Sequence, residues 1–293
     1  MFFCYNRDRQ KTLTCTYRND VFFASKGGAM VEITAIHEFT VKIIHEAGER
    51  IRQSLSEKLE IETKANANDL VTNIDRETEL FFIEQIHAYD PAFKILGEEG
   101  MGEPLESLDG VVWIIDPIDG TMNFIRQHRN FAISIGIYVD GIGKLGYIYD
   151  VMRNDLYYAV EGQGAYMNDR QLERLQSLPL HEAIIGINAT WVTPNRYIDH
   201  NKIIDLVHHV RGTRSYGSAT LEIASVVCGR MDAYMSMRLS PWDIAGGAVI
   251  ANEVGAIVSN LGNEAINLEE QDTFIIANPK IHKTIIEQYV HLK

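Results

Sequence analysis

Long apolar runs, cysteine and positive charge are what this 293-residue chain has least of. No stretch approaches the roughly 20 apolar residues that a bilayer-crossing helix needs, which excludes a helical membrane span. Three cysteines, Cys4, Cys15 and Cys228, make no disulfide framework, and a reducing cytoplasm is the simplest compartment. Cys228 lies in an apolar helical stretch and reads as a small core residue. Lysine and arginine together number 27 against 40 acidic residues, a formal charge of −13. The deficit is uneven. Residues 1–30 hold five basic residues (Arg7, Arg9, Lys11, Arg18, Lys26) and two acidic ones (Asp8, Asp20), a net of +3 that leaves −16 on the other 263. So acidic a body is expected to repel DNA, RNA and anionic membranes rather than bind them broadly. There is no Pro/Gly/Ser-rich linker, repeat or low-complexity tract. At 46% hydrophobic the chain can bury a large core, so it reads as one compact unit.

The first thirty residues are unlike the rest of the chain. They lack the apolar core of a signal peptide and have neither helical nor strand periodicity. After Met30, Ile33, Ile36, Thr40, Ile43, Ile44, Ala47, Ile51 and Leu55 fall on one helical face. Met30 is the expected natural start, with residues 1–29 an extended reading frame or a disordered extension. A single domain is expected over 30–293, in lobes of roughly 30–180 and 181–293.

Further along, a loop or hairpin over 64–75 precedes a helix containing Leu80, Phe81, Ile83 and Ile86. Strands are expected at 93–96, 111–115, 131–139, 144–150 and 156–160, with Gly-rich turns at 138–144 and 161–165. From Ile184 short strands (184–188, 233–237, 257–259, 273–277) alternate with helices (198–210, 218–228, 244–254, 280–292). Antiparallel strands come first and alternating α/β later, a mixed α+β, α/β pattern.

The most informative segment is Val111-Val-Trp-Ile-Ile-Asp-Pro-Ile-Asp-Gly-Thr-Met-Asn-Phe124. A buried strand here delivers Asp116 and Asp119 to its end. Two hard oxygen ligands three residues apart suit Mg²⁺. Gly120 and Thr121 then open a helix whose free N–H groups attract an anion. A plain turn is the bland reading, because Asp, Pro and Gly are common turn formers. An aspartyl-phosphate phosphatase needs a carboxylate two residues before Asp119, where Pro117 stands. The remaining reading takes both carboxylates as metal ligands and water as nucleophile, and it needs more acids. Glu98 and Glu99 follow Gly97 at the end of a short apolar run. Asp243 precedes a small apolar helix, and Asp75 closes the segment that begins near Lys64. Each has a local alternative: a solvated turn for Glu98 and Glu99, an N-cap for Asp75 and Asp243, a surface lysine for Lys64.

Taken together, Gly97-Glu98-Glu99, Asp116-Pro-Ile-Asp119-Gly120-Thr121-x-Asn123-Phe124 and Trp242-Asp243-x-Ala245-Gly246-Gly247 resemble the inositol monophosphatase family, Mg²⁺-dependent and lithium-sensitive phosphatases. The resemblance runs from about Val31 to the C-terminus. It implies the layered α-β-α-β-α sandwich shared with fructose-1,6-bisphosphatase, two or three Mg²⁺ ions, and a homodimer. In that family's pattern Glu98, Asp116 and the carbonyl of Ile118 hold the metal that activates water. Asp116, Asp119 and Asp243 hold the metal facing the leaving oxygen, and a third, weaker site uses Glu98. The amides of Gly120 and Thr121 hold phosphate, and the Thr121 hydroxyl, oriented by Asp75, assists the attacking water. Gly217, Ser218 and Ala219, in a glycine turn that opens a helix, face the substrate's organic part. Lys64, Asp69 and Glu99 belong behind the ligands or on a mobile loop.

One departure bears on substrate. Animal relatives carry Glu seven residues before the Trp-Asp aspartate, where it accepts inositol hydroxyls. Here that position is Ser236, a short neutral hydroxyl, with Arg238 nearby for a second phosphate or as a plain surface residue. A broad substrate range is expected, including inositol 1-phosphate and nucleotide phosphates such as NADP or 3′-phosphoadenosine 5′-phosphate. A regulatory role on the transcription machinery, known for some bacterial relatives, is the alternative. Removing residues 1–29 is expected to leave both phosphate release and melting temperature unchanged. Loss of cooperative unfolding in the truncated protein would show that the segment packs on the body.

Overall fold

The computed structural model describes residues 22–24, 30–56, 58–63, 70–102 and 107–293. Strands β1 (Phe22–Ala24) and β2 (Met30–Glu32) pair antiparallel and lead into α1 (Ile33–Ser54). The boundary expected at Met30 therefore falls within a hairpin. The expectation of no regular structure upstream is corrected for residues 22–24, whose backbone is paired across it. Ile33, Ile36, Ile43, Ile44, Ala47 and Ile51 form the buried stripe of α1, as their 3.6-residue spacing requires. A second hairpin, β3 (Ile61–Thr63) with β4 (Leu70–Thr72), ends at α2 (Asn73–Tyr89).

Seven strands make the larger sheet: β5 (Lys94–Gly97), β6 (Val111–Asp119), β7 (Ala132–Val139), β8 (Ile142–Asp150), β9 (Asp155–Val160), β10 (Gly164–Met167) and β11 (Arg170–Gln171). They lie in the order β11-β10-β9-β8-β7-β6-β5. All neighbours are antiparallel except β5 and β6. A short α3 (Thr121–Gln127) joins β6 to β7. The smaller sheet holds β12 (Ile184–Ile187), β13 (Gly212–Arg214), β14 (Ala233–Leu239), β15 (Ile257–Ser259) and β16 (Asp272–Ala277), in the order β13-β12-β14-β16-β15. Helices α4 (His200–His209), α5 (Ala219–Val227), α6 (Pro241–Glu253) and α7 (Pro279–Tyr289) complete the chain.

Three apolar cores separate five layers, the α-β-α-β-α sandwich. Alternation along β6 divides the first two: Val111, Trp113 and Ile115 face α1 and α2, while Val112 and Ile114 face α5 and α6. The third core joins β12, β14 and β16 to α4 and α7 through Ile185, Met235, Ile275, Leu206 and Ile285. Helices α5 and α6 pack on both sheets, so the middle core is shared between them. Strands β10, β11 and β13 escaped the sequence reading: β10 opens within a Gly-rich turn, and β11 and β13 (Arg-Gln and Gly-Thr-Arg) carry no apolar alternation.

The small residues of α6 have a specific use. Gly136 on β7 and Gly146 on β8 are cross-strand partners beneath this helix. A Cβ on Gly136 would sit 2.7 Å from the Ala245 Cβ, and one on Gly146 would overlap the Gly246 carbonyl oxygen. Helix backbone thus lies directly on sheet backbone, which draws the N-terminus of α6 toward the end of β6. Gly146→Ala is expected to destabilise by about 1–3 kcal/mol, the usual cost of overpacking a tight interior. Urea unfolding measures it, and a stability loss below about 0.5 kcal/mol would mean that α6 shifts freely.

Candidate active site

The site is assembled by strand ends and helix starts. Parallel pairing aligns Gly97 of β5 with Ile115 of β6, so the residue after each, Glu98 and Asp116, emerges at the same edge. The Glu98 amide extends the ladder by donating to the Ile115 carbonyl at 3.2 Å. β6 does not stop at Ile115 as its apolar run suggested. It continues to Asp119 with a register shift between Asp116 and Asp119, which lets both aspartates turn to one place. Asp243 arrives from the first turn of α6. Carboxylate oxygens of Asp116, Asp119 and Asp243 lie within 4.8 Å of one another, and Glu98 stands beside Asp116.

Each carboxylate is held locally. Asp116 Oδ1 accepts the Ile118 N–H at 3.0 Å. Asp243 Oδ2 accepts the Ser240 N–H at 2.7 Å. Asp119 Oδ2 accepts from the Ser218 hydroxyl, the Thr220 hydroxyl and the Thr220 N–H, and its Oδ1 accepts the Ala219 N–H at 3.3 Å. Together they make a donor set of hard oxygens that fits Mg²⁺. Asp243 and Asp75 are not N-caps. Both occupy the third helical position of a capping box, with Ser240 and Thr72 as the caps. Asp75 Oδ1 then lies 3.1 Å from the Thr121 hydroxyl, which is also 3.2 Å from the Ile118 carbonyl.

The profile of the inositol monophosphatase family matches residues 32–293. The chain belongs to that family. The inositol-1-monophosphatase of Bacillus subtilis is 56% identical over 264 residues, 90% of this chain and 100% of the relative. Nus factor SuhB of Escherichia coli is 32% identical over 84% of this chain and 92% of its own length. The crystal structure of inositol monophosphatase-II from Staphylococcus aureus superposes with a TM-score of 0.81 at 43% identity, covering 88% of this chain and 96% of that one. The same staphylococcal enzyme has been solved with inositol monophosphate and with 2′-AMP bound. An IMPase/NADP phosphatase complexed with Mg²⁺ and phosphate reaches 0.81 at 29% identity, covering 87% and 95%. A hydrolase of phosphoric monoesters is thus the class of enzyme to which the carboxylate cluster belongs.

Other expected residues of this family's motifs stand around the cluster. Gly120 caps α3 with φ +94°, a left-handed conformation that glycine adopts without strain. Its neighbour across the site is the Gly217–Ser218 turn, with Gly217 at φ +77°. Ser218 is the N-cap of α5, so capping and the grip on Asp119 come from one hydroxyl. Ser236 is buried on β14, and its hydroxyl contacts the Arg238 backbone at 3.4 Å. Arg238 is exposed, and its charge favours the ionised form of Asp243. Lys64 and Asp69 lie outside the described residues. Cys228 is half-buried rather than fully interior.

Sequence reading missed three supports. Glu79, fully buried on α2, accepts the N–H of Glu99 at 2.7 Å and of Met101 at 2.8 Å, holding the loop that presents Glu98. A Cβ at 97 would overlap the Glu79 carboxylate, so a larger residue there would have to displace it from these amides. Its signal was an acid four residues after Asp75 on the buried face of α2. Asn123 donates to the Tyr216 carbonyl at 2.7 Å and to the Asn130 carbonyl at 2.8 Å, tying α3 to the Gly217 turn. Glu222, buried on α5, accepts the Tyr216 N–H.

Burial raises the carboxyls of Asp116 and Asp243 well above their ordinary range. The charges of Glu98, Asp119 and Asp243 add to this at Asp116, and that of Asp119 at Asp243. Burial raises Asp119 too, against the hydrogen bonds from Ser218 and Thr220. Burial pushes Asp75 up from 3.8 to about 6. A raised carboxyl makes the folded state bind more protons than the unfolded one, so without metal each stabilises at low pH and that stability is lost as pH rises. For Asp75 the loss runs from about pH 4 through 6. A cation replaces the missing protons. In EDTA the melting temperature is expected to fall as pH rises from 5 to 8 (on the order of one titrating unit per group). Mg²⁺ at about a hundredfold its Kd is expected to restore roughly 2.7 kcal/mol at pH 7.5. A melting temperature indifferent to both would remove the cluster's electrostatic basis.

Proposed function

We propose that this protein hydrolyses small phosphate monoesters with two or three Mg²⁺ ions held by Glu98, Asp116, Asp119, Asp243 and the Ile118 carbonyl. The observation that carries the reading is the meeting of three carboxylates within 4.8 Å at the ends of β6 and α6, two of them buried and Asp243 half-buried. Mg²⁺ held there neutralises phosphate charge and makes water a stronger nucleophile. The chain's own groups do the rest. The first amides of α3, after Gly120, bind the phosphate oxygens. The Thr121 hydroxyl, between Asp75 and the Ile118 carbonyl, takes part in a proton path: Asp75 accepts from Thr121, and Thr121 accepts from the attacking water. Glu79 and Glu99 hold this edge from behind.

The leaving group extends from the phosphate over the Gly217–Ala219 turn toward Ser236 and Arg238. Supporting a range that includes inositol and nucleotide esters, the staphylococcal relative has been crystallised with both inositol monophosphate and 2′-AMP. A phosphate-release assay over inositol 1-phosphate, 2′-AMP, NADP and 3′-phosphoadenosine 5′-phosphate, with Mg²⁺ or with EDTA, tests the reading. Mg²⁺-dependent release from at least one is expected, with lithium inhibiting it. A protein that is inert on all four overturns it.

Asp243→Asn is the cleanest probe of the ligand set. Asparagine can still accept the Ser240 N–H and keep the capping box, whereas at Asp119 the same change would break bonds to Ser218 and Thr220. Turnover is expected to fall at least tenfold, about 1.4 kcal/mol, with the apo melting temperature unchanged or raised. A variant that retains wild-type kcat would show that Asp243 is not a ligand.

A further inference from the structure

Beside the carboxylate centre lies a cleft of about 390 Å³, lined by Asn188, Trp191, Ser218, Tyr234, Ser236 and Glu222. Ser218 also holds Asp119, so the cleft opens from the wall of the catalytic centre. Some of its polar groups are already engaged. Ser236 is committed to the Arg238 backbone and Asn188 to the Thr190 N–H. Glu222 is different. It is 3% exposed, and one carboxyl oxygen accepts the Tyr216 N–H. The other, Oε2, is buried without any hydrogen-bond partner. Of the three buried side-chain atoms in that condition among the described residues, only this one belongs to a residue lining the cleft. Gly186 on β12 gives it room, since a Cβ there would sit 2.7 Å from Oε2. Buried carboxyl oxygens are normally paired, and an orphan in a cleft wall marks a place for a ligand's donor.

We propose that Glu222 is a specificity-determining residue of the leaving-group cleft, its Oε2 accepting a hydrogen bond from a hydroxyl group of the substrate's organic part. The inference rests on the phosphatase reading and names its preferred substrate class: phosphate esters of polyols and sugars, against esters of simple alcohols. Burial, with the nearby charge of Asp119, pushes the Glu222 carboxyl up to about 7, as expected of an acid whose partner arrives only with substrate. Ser236 contributes little, being too short and already bonded. The carboxyl of this cleft comes from helix α5 rather than from strand β14.

Glycerol 2-phosphate and isopropyl phosphate test this, because they share a carbon skeleton and differ in two hydroxyls. Wild type is expected to favour glycerol 2-phosphate in kcat/KM by about tenfold or more, the gain from one charge-assisted hydrogen bond. Glu222→Gln keeps an acceptor for the Tyr216 N–H but loses the charge. It is expected to lower kcat/KM for glycerol 2-phosphate about tenfold while isopropyl phosphate changes less than twofold. A parallel loss on both esters would mean that Glu222 only clamps the Tyr216 turn, and an unchanged ratio that Oε2 meets no substrate; either overturns the proposal. So does a wild-type enzyme that hydrolyses both esters equally, a result that needs no variant to fold. If wild type hydrolyses neither, the phosphatase reading is judged by its own four-substrate assay. Calorimetric binding of glycerol 2-phosphate with Ca²⁺ then decides Glu222 alone: about tenfold weaker affinity in Glu222→Gln supports it, and equal affinity overturns it.

Discussion

Like charges held together in a buried place repel, and the structure depends on how that repulsion is contained. Asp116, Asp119 and Asp243 crowd within 4.8 Å, with Glu98 at the edge. Burial and mutual repulsion lift their carboxyls, so the folded state is short of a cation or of protons there. What keeps them together is local. At least one oxygen of each aspartate is fixed by donors from its own segment or a neighbouring one: the Ile118 amide, the Ser240 amide, and the Ser218, Ala219 and Thr220 groups. Orientation is set by these bonds before any ligand arrives, which is the preorganisation that electrostatic catalysis requires.

The fold's larger features serve the same end. Parallel pairing of β5 with β6 is the exception in an otherwise antiparallel sheet, and it brings Glu98 alongside Asp116. The register shift inside β6 turns Asp116 and Asp119 toward one point. Backbone contact between α6 and the Gly136–Gly146 pair brings Asp243 in from the opposite layer. Behind the ligands stand Glu79, which gathers two amides of the Glu98 loop, and Asn123, which joins α3 to the Gly217 turn. Such supports hold a site to the fraction of an ångström that positioning demands.

Phosphate recognition and leaving-group recognition are built from different parts. In the proposed reading, phosphate lies with the carboxylates and α3, features that any phosphate monoester can use. The organic part would meet the second sheet and α5, where Ser236 is engaged and Glu222 carries unmet hydrogen-bonding capacity. An enzyme arranged this way could keep its reaction while changing its range, since the cleft's side chains touch the carboxylate cluster only at its Ser218–Ala219 rim.

Sequence alone determined the chemistry. Asp116, Asp119, Gly120 and Thr121 fall within six residues, so strand, ligands and helix start are read from neighbours along the chain. The α1 stripe and most strands were equally legible, because their periods are local. Tertiary structure decided what depends on distant partners. Asp75 and Asp243 looked like caps, yet they bond back to Thr72 and Ser240 and leave one oxygen for Thr121 or the cluster. Gly246 of the Trp-Asp motif had no reason to be small until β7 and β8 were seen against it, nor Gly247 until Ile223 of α5 was. Glu79 and Glu222 resembled ordinary helix-surface acids, since a single acidic residue looks the same in sequence whether water or a buried amide is its partner. Only packing shows that α2 turns Glu79 inward and that α5 leaves one oxygen of Glu222 alone in the cleft wall.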